Sequence, residues 1–206
     1  MTHRVHISRV CDLEGGDRKG AARHGRRALE APRNDGALWV LGVLDYREGR
    51  YAESVARYRD AYPELFSGAP RIDASNFTVA VDVVPALQGL GRTDEALALL
   101  AGSERVMAGL PLLWAGLGMN GRAPHDARAL ALRGRKQEAL AALRAAEQAG
   151  WLSVGSNRDL EPAFDSIRDE PEFKAIVADI ERDMARQRAE LAKQPKDAPL
   201  DLDPSR

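Results

Sequence analysis

The sequence predicts an all-α fold, a row of helical hairpins. Three observations carry this. A short phrase recurs at nearly fixed spacing. Apolar residues repeat with a period near 3.6 and never alternate for more than a few positions. Aromatic residues make up only 5% of the chain against 44% hydrophobic residues, so Ala and Leu must do the packing, as in close helix–helix contacts.

The phrase first reads Gly49-Arg50-Tyr51-Ala52-Glu53-Ser54-Val55-Ala56. It returns as Gly91-Arg92-Thr93-Asp94-Glu95-Ala96-Leu97-Ala98 and as Gly134-Arg135-Lys136-Gln137-Glu138-Ala139-Leu140-Ala141, at spacings of 42 and 43 residues. A degraded copy, Gly16-Asp17-Arg18-Lys19-Gly20-Ala21-Ala22-Arg23, lies 33 residues before the first. Self-similarity at a fixed period marks a repeat array. Gly ends one helix in a left-handed conformation. A second helix follows, with acid in its first turn where the helix dipole favours negative charge. Small residues stand five after each Gly: Ala21, Ser54, Ala96 and Ala139. Nine after it stand Gly25, Tyr58, Leu100 and Leu143, and twelve after it Ala28, Ala61, Ser103 and Ala146. These positions share one face of a helix.

On these residues the chain resembles the tetratricopeptide repeat (TPR) family. Leu41-Gly42, Gly49, Ser54, Tyr58, Ala61 and Pro63 match its pattern, as do Ala21, Ala28 and Pro32 in the degraded copy. The resemblance covers residues 4 to 150. It implies a TPR-like α-α superhelix, a right-handed solenoid of helical hairpins. The second and third units lack the Leu-Gly pair, and their spacing exceeds the family period of roughly 34. Residues 65–74 and 106–123 are therefore inserted loops or helices.

Residues 151–192 read as a connector followed by a C-terminal capping helix. Asp169 and Glu172 have capping-box spacing around Pro171, and Phe173, Ile176, Val177, Ile180 and Met184 form one apolar stripe. This helix is expected to seal the array of residues 1–150. Residues 193–206, with Pro195, Pro199 and Pro204 among charges, are expected to be a disordered tail. The stretches Ala149-Gly150-Trp151, Asp159-Leu160-Glu161-Pro162 and Arg168-Asp169-Glu170-Pro171-Glu172-Phe173 are similar to the closing segment of TPR arrays in larger bacterial regulatory and sensory proteins. Those proteins often carry a winged-helix, cyclase or kinase domain ahead of the repeats, and no such domain is expected in these residues.

Composition and motifs narrow the function. With 30 Lys and Arg against 31 Asp and Glu, the net charge is −1, and nothing global calls for nucleic acid or an anionic membrane. The basic run Arg18, Lys19, Arg23, Arg26, Arg27 and Arg33 has no interleaved aromatics and reads as a solvated helix face. Met1 to Leu13 has no apolar core for a signal peptide, and Val106 to Met119 is too broken to span a bilayer, so a cytoplasmic location is expected. Gly116-Leu117-Gly118-Met119-Asn120-Gly121 fits a dinucleotide-binding spacing, with Glu138 near the distance of a ribose contact. Pro124 stands where the phosphate-binding helix should be running, however, so the stretch reads as a helix end and loop. His3, His6 and Cys11 lack a second cluster to complete a coordination sphere, and His24 and His125 are isolated. No catalytic residue, cofactor or metal is expected.

Function is thus expected to be that of an interaction module, binding a protein or peptide segment on its concave face. A ligand-sensing remnant of a bacterial transcriptional regulator is one alternative, and a nucleotide-binding enzyme using Gly116 to Gly121 is another. In TPR-like arrays the first helix of each hairpin lines the groove. The lining positions lie ten, six, three and two residues before each turn Gly. They are Trp39, Val43, Tyr46 and Arg47; Val81, Pro85, Gln88 and Gly89; and Pro124, Arg128, Ala131 and Leu132. Trp39 and Val43 stand where chaperone-binding members hold a carboxylate with Lys and Asn, so that clamp is not expected. The candidate binding residues are Trp39, Val43, Tyr46, Arg47, Val81, Gln88 and Arg128. They suit an amphipathic or extended segment bearing some acid.

Overall fold

Gly49, Gly91 and Gly134 each close a helical hairpin in the same way, while Gly16 lies outside the described residues. In the computed structural model, which describes residues 18–28, 34–109, 123–150 and 160–193, Gly49, Gly91 and Gly134 have φ of 74°, 72° and 75°. The following Arg N–H bonds the carbonyl five residues back: Arg50 to Asp45, Arg92 to Leu87, Arg135 to Leu130. The Gly N–H bonds the carbonyl three back, at Tyr46, Gln88 and Ala131. This pair of bonds satisfies the last carbonyls of the incoming helix, and it needs the left-handed residue between them. A Cβ at any of the three would meet nothing within 4 Å, so backbone conformation alone selects Gly.

The regular structure of the described residues is helical, and no strand occurs among them. Helix α1 (Arg18–Ala28) packs on α2 (Asp35–Arg47), which is hairpinned with α3 (Tyr51–Ala61). A 3₁₀ turn (Pro63–Phe66) leads to α4 (Phe77–Asp82) and α5 (Val84–Gly89), which together pair with α6 (Thr93–Gly109). The third hairpin is α7 (Ala123–Leu132) with α8 (Lys136–Gln148), followed by a 3₁₀ turn (Pro162–Phe164) and α9 (Pro171–Lys193). Where one helix was expected before Gly91, two short ones stand. Pro85 lacks the N–H that would continue the ladder past Val83.

In the three hairpins the repeated positions are buried, as their spacing predicts, with Ala61 the exception; the side chains of Ala21 and Ala28 lie outside the described ones. Ser54, Ala96 and Ala139 are buried, as are Tyr58, Leu100 and Leu143, and Ser103 and Ala146. Ala61 is only partly buried. Ser54 Oγ donates to the Gly42 carbonyl at 3.2 Å, and Ser103 Oγ to that of Phe77 at 2.9 Å. The Leu41-Gly42 pair has its own reason. A Cβ on Gly42 would lie 2.5 Å from the Tyr58 hydroxyl, so only Gly admits that ring between α2 and α3.

One apolar cluster joins the first two hairpins, and another joins α7 and α8 to Phe164, Ile167 and the α9 stripe of Phe173, Ile176, Val177 and Ile180. Arg144 also pairs with Asp179 at 2.5 Å, tying α8 to α9. α9 opens at Pro171, one residue later than a cap at Asp169 would place it. Asp169 instead pairs with the Lys174 ammonium at 3.5 Å. His3, His6, Cys11, the Gly116–Gly121 loop and residues 194–206 lie outside the described residues.

Candidate partner-binding face

Helix α2 is buried almost all round: from Ala37 to Asp45 every residue but Trp39 is buried. A helix lining an open groove would leave one stripe to solvent. Four neighbours cover it: α1, α3, α4 and the stretch of residues 160–168. That last stretch comes from far along the chain and lies against the face where the groove was expected.

Its contacts with α2 combine charge and apolar packing. Arg47 donates to Asp165 through two parallel bonds, Nη1 to Oδ2 at 2.8 Å and Nη2 to Oδ1 at 2.9 Å. Nη2 also reaches the Leu160 carbonyl at 3.3 Å, and the Tyr46 hydroxyl donates to Asp165 Oδ2 at 3.1 Å. Arg168 supplies Asp165 with a further cation from the stretch itself. Burial, with Asp165 beside it, pushes the Tyr46 phenol up to about 12, so it stays a donor. Leu160 and Trp39 pack on Val40, Leu41 and Leu44.

A second charged group lies deeper. Arg128 of α7 pairs with Asp82 at the end of α4, and its Nε lies 3.3 Å from Glu161 Oε2. All three side chains are largely buried. Burial pushes the Asp82 carboxyl up to about 6, with Arg128 pulling it down and Glu161 pushing it up. Burial works against the Arg128 cation, but Glu161 and Asp82 more than offset it and hold the guanidinium above its ordinary range. Tyr58 is raised by burial and then by Asp82 and Glu161. On α7, His125 meets the Phe77 ring edge-on at 5.7 Å, and burial, then Arg128, lowers its imidazole to about 4. Chemically the cluster can neutralise charge and fix helices; its carboxylates already face a cation.

The candidate residues therefore divide. Tyr46, Arg47 and Arg128 converge on one stretch of chain and its two carboxylates, Asp165 and Glu161. Val43 and Val81, 3% and 1% exposed, point into the core and offer no surface. Val81 lies in the apolar cluster that joins the first two hairpins, and Val43 within the run of α2 that its neighbours bury. Pro85 and Ala131 are buried too, and Gly89 lies against the Tyr51 ring. Trp39 is half-buried against the α2 cluster. Gln88 is exposed and donates from Nε2 to the Leu132 carbonyl at 2.8 Å.

Sequence reasoning missed Asp82, Glu161 and Asp165. Asp82 carried a signal, a lone carboxylate in the apolar run Val79–Val84. A charge there must be paired once buried. Glu161 and Asp165 sit on a connector whose partners lie far away in sequence, and no local pattern names them. Among the described residues no group of three His, Cys, Asp or Glu side chains is placed to hold a metal, and no helix is long and apolar enough to cross a membrane.

Comparison with protein-family models, with curated proteins and with solved structures finds no match to this chain.

Proposed function

We propose that this chain is a TPR-like helical-repeat array that holds a protein or peptide partner, an extended or amphipathic segment bearing acid, on the side lined by its first helices. The observation that carries this reading is what already lies there. The chain's own Leu160-Glu161-Pro162-Ala163-Phe164-Asp165 presents two carboxylates to Arg47 and Arg128 and an apolar side chain to α2. A segment of that chemistry fits the face because Arg meets a carboxylate through a planar fork. The resemblance of the three hairpins to TPR units, and of the closing segment to that of regulatory arrays, supports the same reading.

The test is selection from a displayed library of random peptides, followed by affinity measurement. Recovered binders are expected to be enriched in Asp and Glu next to Leu or Phe, and to lose at least about tenfold in affinity with Arg47→Glu, the order of one lost charge-assisted contact. Binders without acid, or binding indifferent to Arg47→Glu, would refute the assignment of the face.

A further inference from the structure

The stretch of residues 160–168 is held from two sides, deeply on one and near water on the other. Toward α7, α8 and α9 it is anchored by Phe164 and Ile167, both fully inside an apolar cluster. Toward α2 it is held by Leu160 and by Asp165, and there the ion pair keeps contact with water: the Arg47 and Asp165 side chains are 21% and 30% exposed. An opening of this face therefore runs along the Arg47–Asp165 seam and leaves the stretch on the third hairpin. Asp165 would not be stranded, because Arg168 stays beside it on the same stretch. Arg47 would be left without its carboxylate. Its Nε is already buried without an acceptor, so a carboxylate approaching side-on would gain a donor that Asp165 does not use.

We propose that this seam is an autoinhibitory latch: Asp165 occupies in cis the place on Arg47 and Tyr46 that a carboxylate of an acidic partner segment takes when the seam opens. The proposal rests on the reading of the face given above and adds its regulation. The closed state lowers the apparent affinity for a partner by the fraction of molecules that are open. Weakening the seam raises that affinity without adding any contact.

The experiment uses the full chain and a fluorescent peptide of the sequence of residues 160–168, Leu-Glu-Pro-Ala-Phe-Asp-Ser-Ile-Arg. Anisotropy gives its affinity, and hydrogen exchange of the α2 amides reads the seam without any ligand. Asp165→Asn is expected to speed exchange in α2 and to bind the peptide at least about tenfold more tightly than the parent, as a shift from mostly closed to mostly open requires. Adding Arg47→Ala should abolish the gain. The swap Arg47→Asp with Asp165→Arg should restore slow exchange and bind no acidic peptide, which guards against a variant that merely loosens the fold. Equal peptide affinity for parent and Asp165→Asn would overturn the latch and leave the function reading standing. Faster exchange with no peptide bound by any variant would overturn the function reading and the proposal with it. Unchanged exchange in Asp165→Asn would overturn the latch alone. A concentration-dependent dimer of Asp165→Asn would make a second copy the occupant and refute an acidic partner.

Discussion

Arg47 and Asp165 stand 118 residues apart in the chain and meet through two parallel N–H···O bonds, closing the stretch after the third hairpin onto the first. A bidentate pair of this kind is among the stronger polar contacts, and partial exposure weakens it. Arg47→Ala is expected to lower unfolding free energy by about 1 kcal/mol. Urea denaturation measures this, and a midpoint unmoved from the parent's would mean the pair contributes nothing.

Gly42→Ala should destabilise although Ala is the better helix former. Propensity favours the change by about 1 kcal/mol, but overpacking costs about 1–3 kcal/mol. The new methyl would meet the Tyr58 ring at 2.5–2.8 Å, and that ring is 1% exposed with nowhere to go. In a double-mutant cycle with Tyr58→Leu the two losses should be clearly less than additive. Additive losses would show that the ring is not what excludes the methyl.

At Gly134, by contrast, space is free and only φ is demanding. Gly134→Ala is expected to cost about 1–2 kcal/mol, and Gly134→Asn distinctly less, because Asn tolerates the left-handed region. Equal costs for the two, by chemical denaturation, would point to a cause other than backbone conformation.

The charged cluster should show itself in pH dependence, with two opposing signs. The Asp82 pKa is raised from 3.8 to about 6, so its stabilising contribution is full below about pH 4 and is lost as pH rises through 6. The His125 pKa is lowered from 6.5 to about 4, so its contribution is present above 6.5 and is lost as pH falls through 4. Relative to the parent, Asp82→Asn should therefore gain stability on going from pH 4 to pH 7, and His125→Gln should gain it on going from pH 7 to pH 4. Each effect is on the order of 2–3 kcal/mol. Thermal or urea unfolding across that range checks both, and the same sign for both variants would contradict the stated environments.

Phe173→Ala should cost about 3–5 kcal/mol through lost burial and the cavity left behind. The ring is 3% exposed and lies 5.8 Å from that of Phe164. Leu191→Ala on the same helix should stay within about 0.5 kcal/mol, since Leu191 is 64% exposed. Similar costs for the two would mean that α9 is not docked through its first turns.

What could be read from the sequence follows a physical line. Gly49, Gly91 and Gly134, with Ser54, Ala96 and Ala139, are local devices: a turn, a cap and a helix crossing within a dozen residues. Their conformation and burial match what their spacing implies. The apolar stripe on α9 was legible for the same reason. The candidate face was legible only in part. Counting back from the turn picked out Tyr46, Arg47 and Arg128, whose side chains meet Asp165 and Glu161. It could not tell that this side is covered, because Leu160 and Asp165 are brought there by the whole path of the chain. The same blindness put Val43 and Val81 among the groove candidates when both are core.

The closure by residues 160–168 also bears on how the protein unfolds. Units that touch only their neighbours can fray from either end, each at its own temperature. Here the first helices follow one another from α2 through α4 and α7 to residues 160–168, and that stretch returns to α2. Loosening of α2 then costs contacts at residues 160–168, and the reverse, so the transition is expected to be one sharp step shared by all three hairpins. The return contact has a large sequence separation, which slows folding relative to a linear array of the same length. Cutting the seam should broaden the melt and speed refolding.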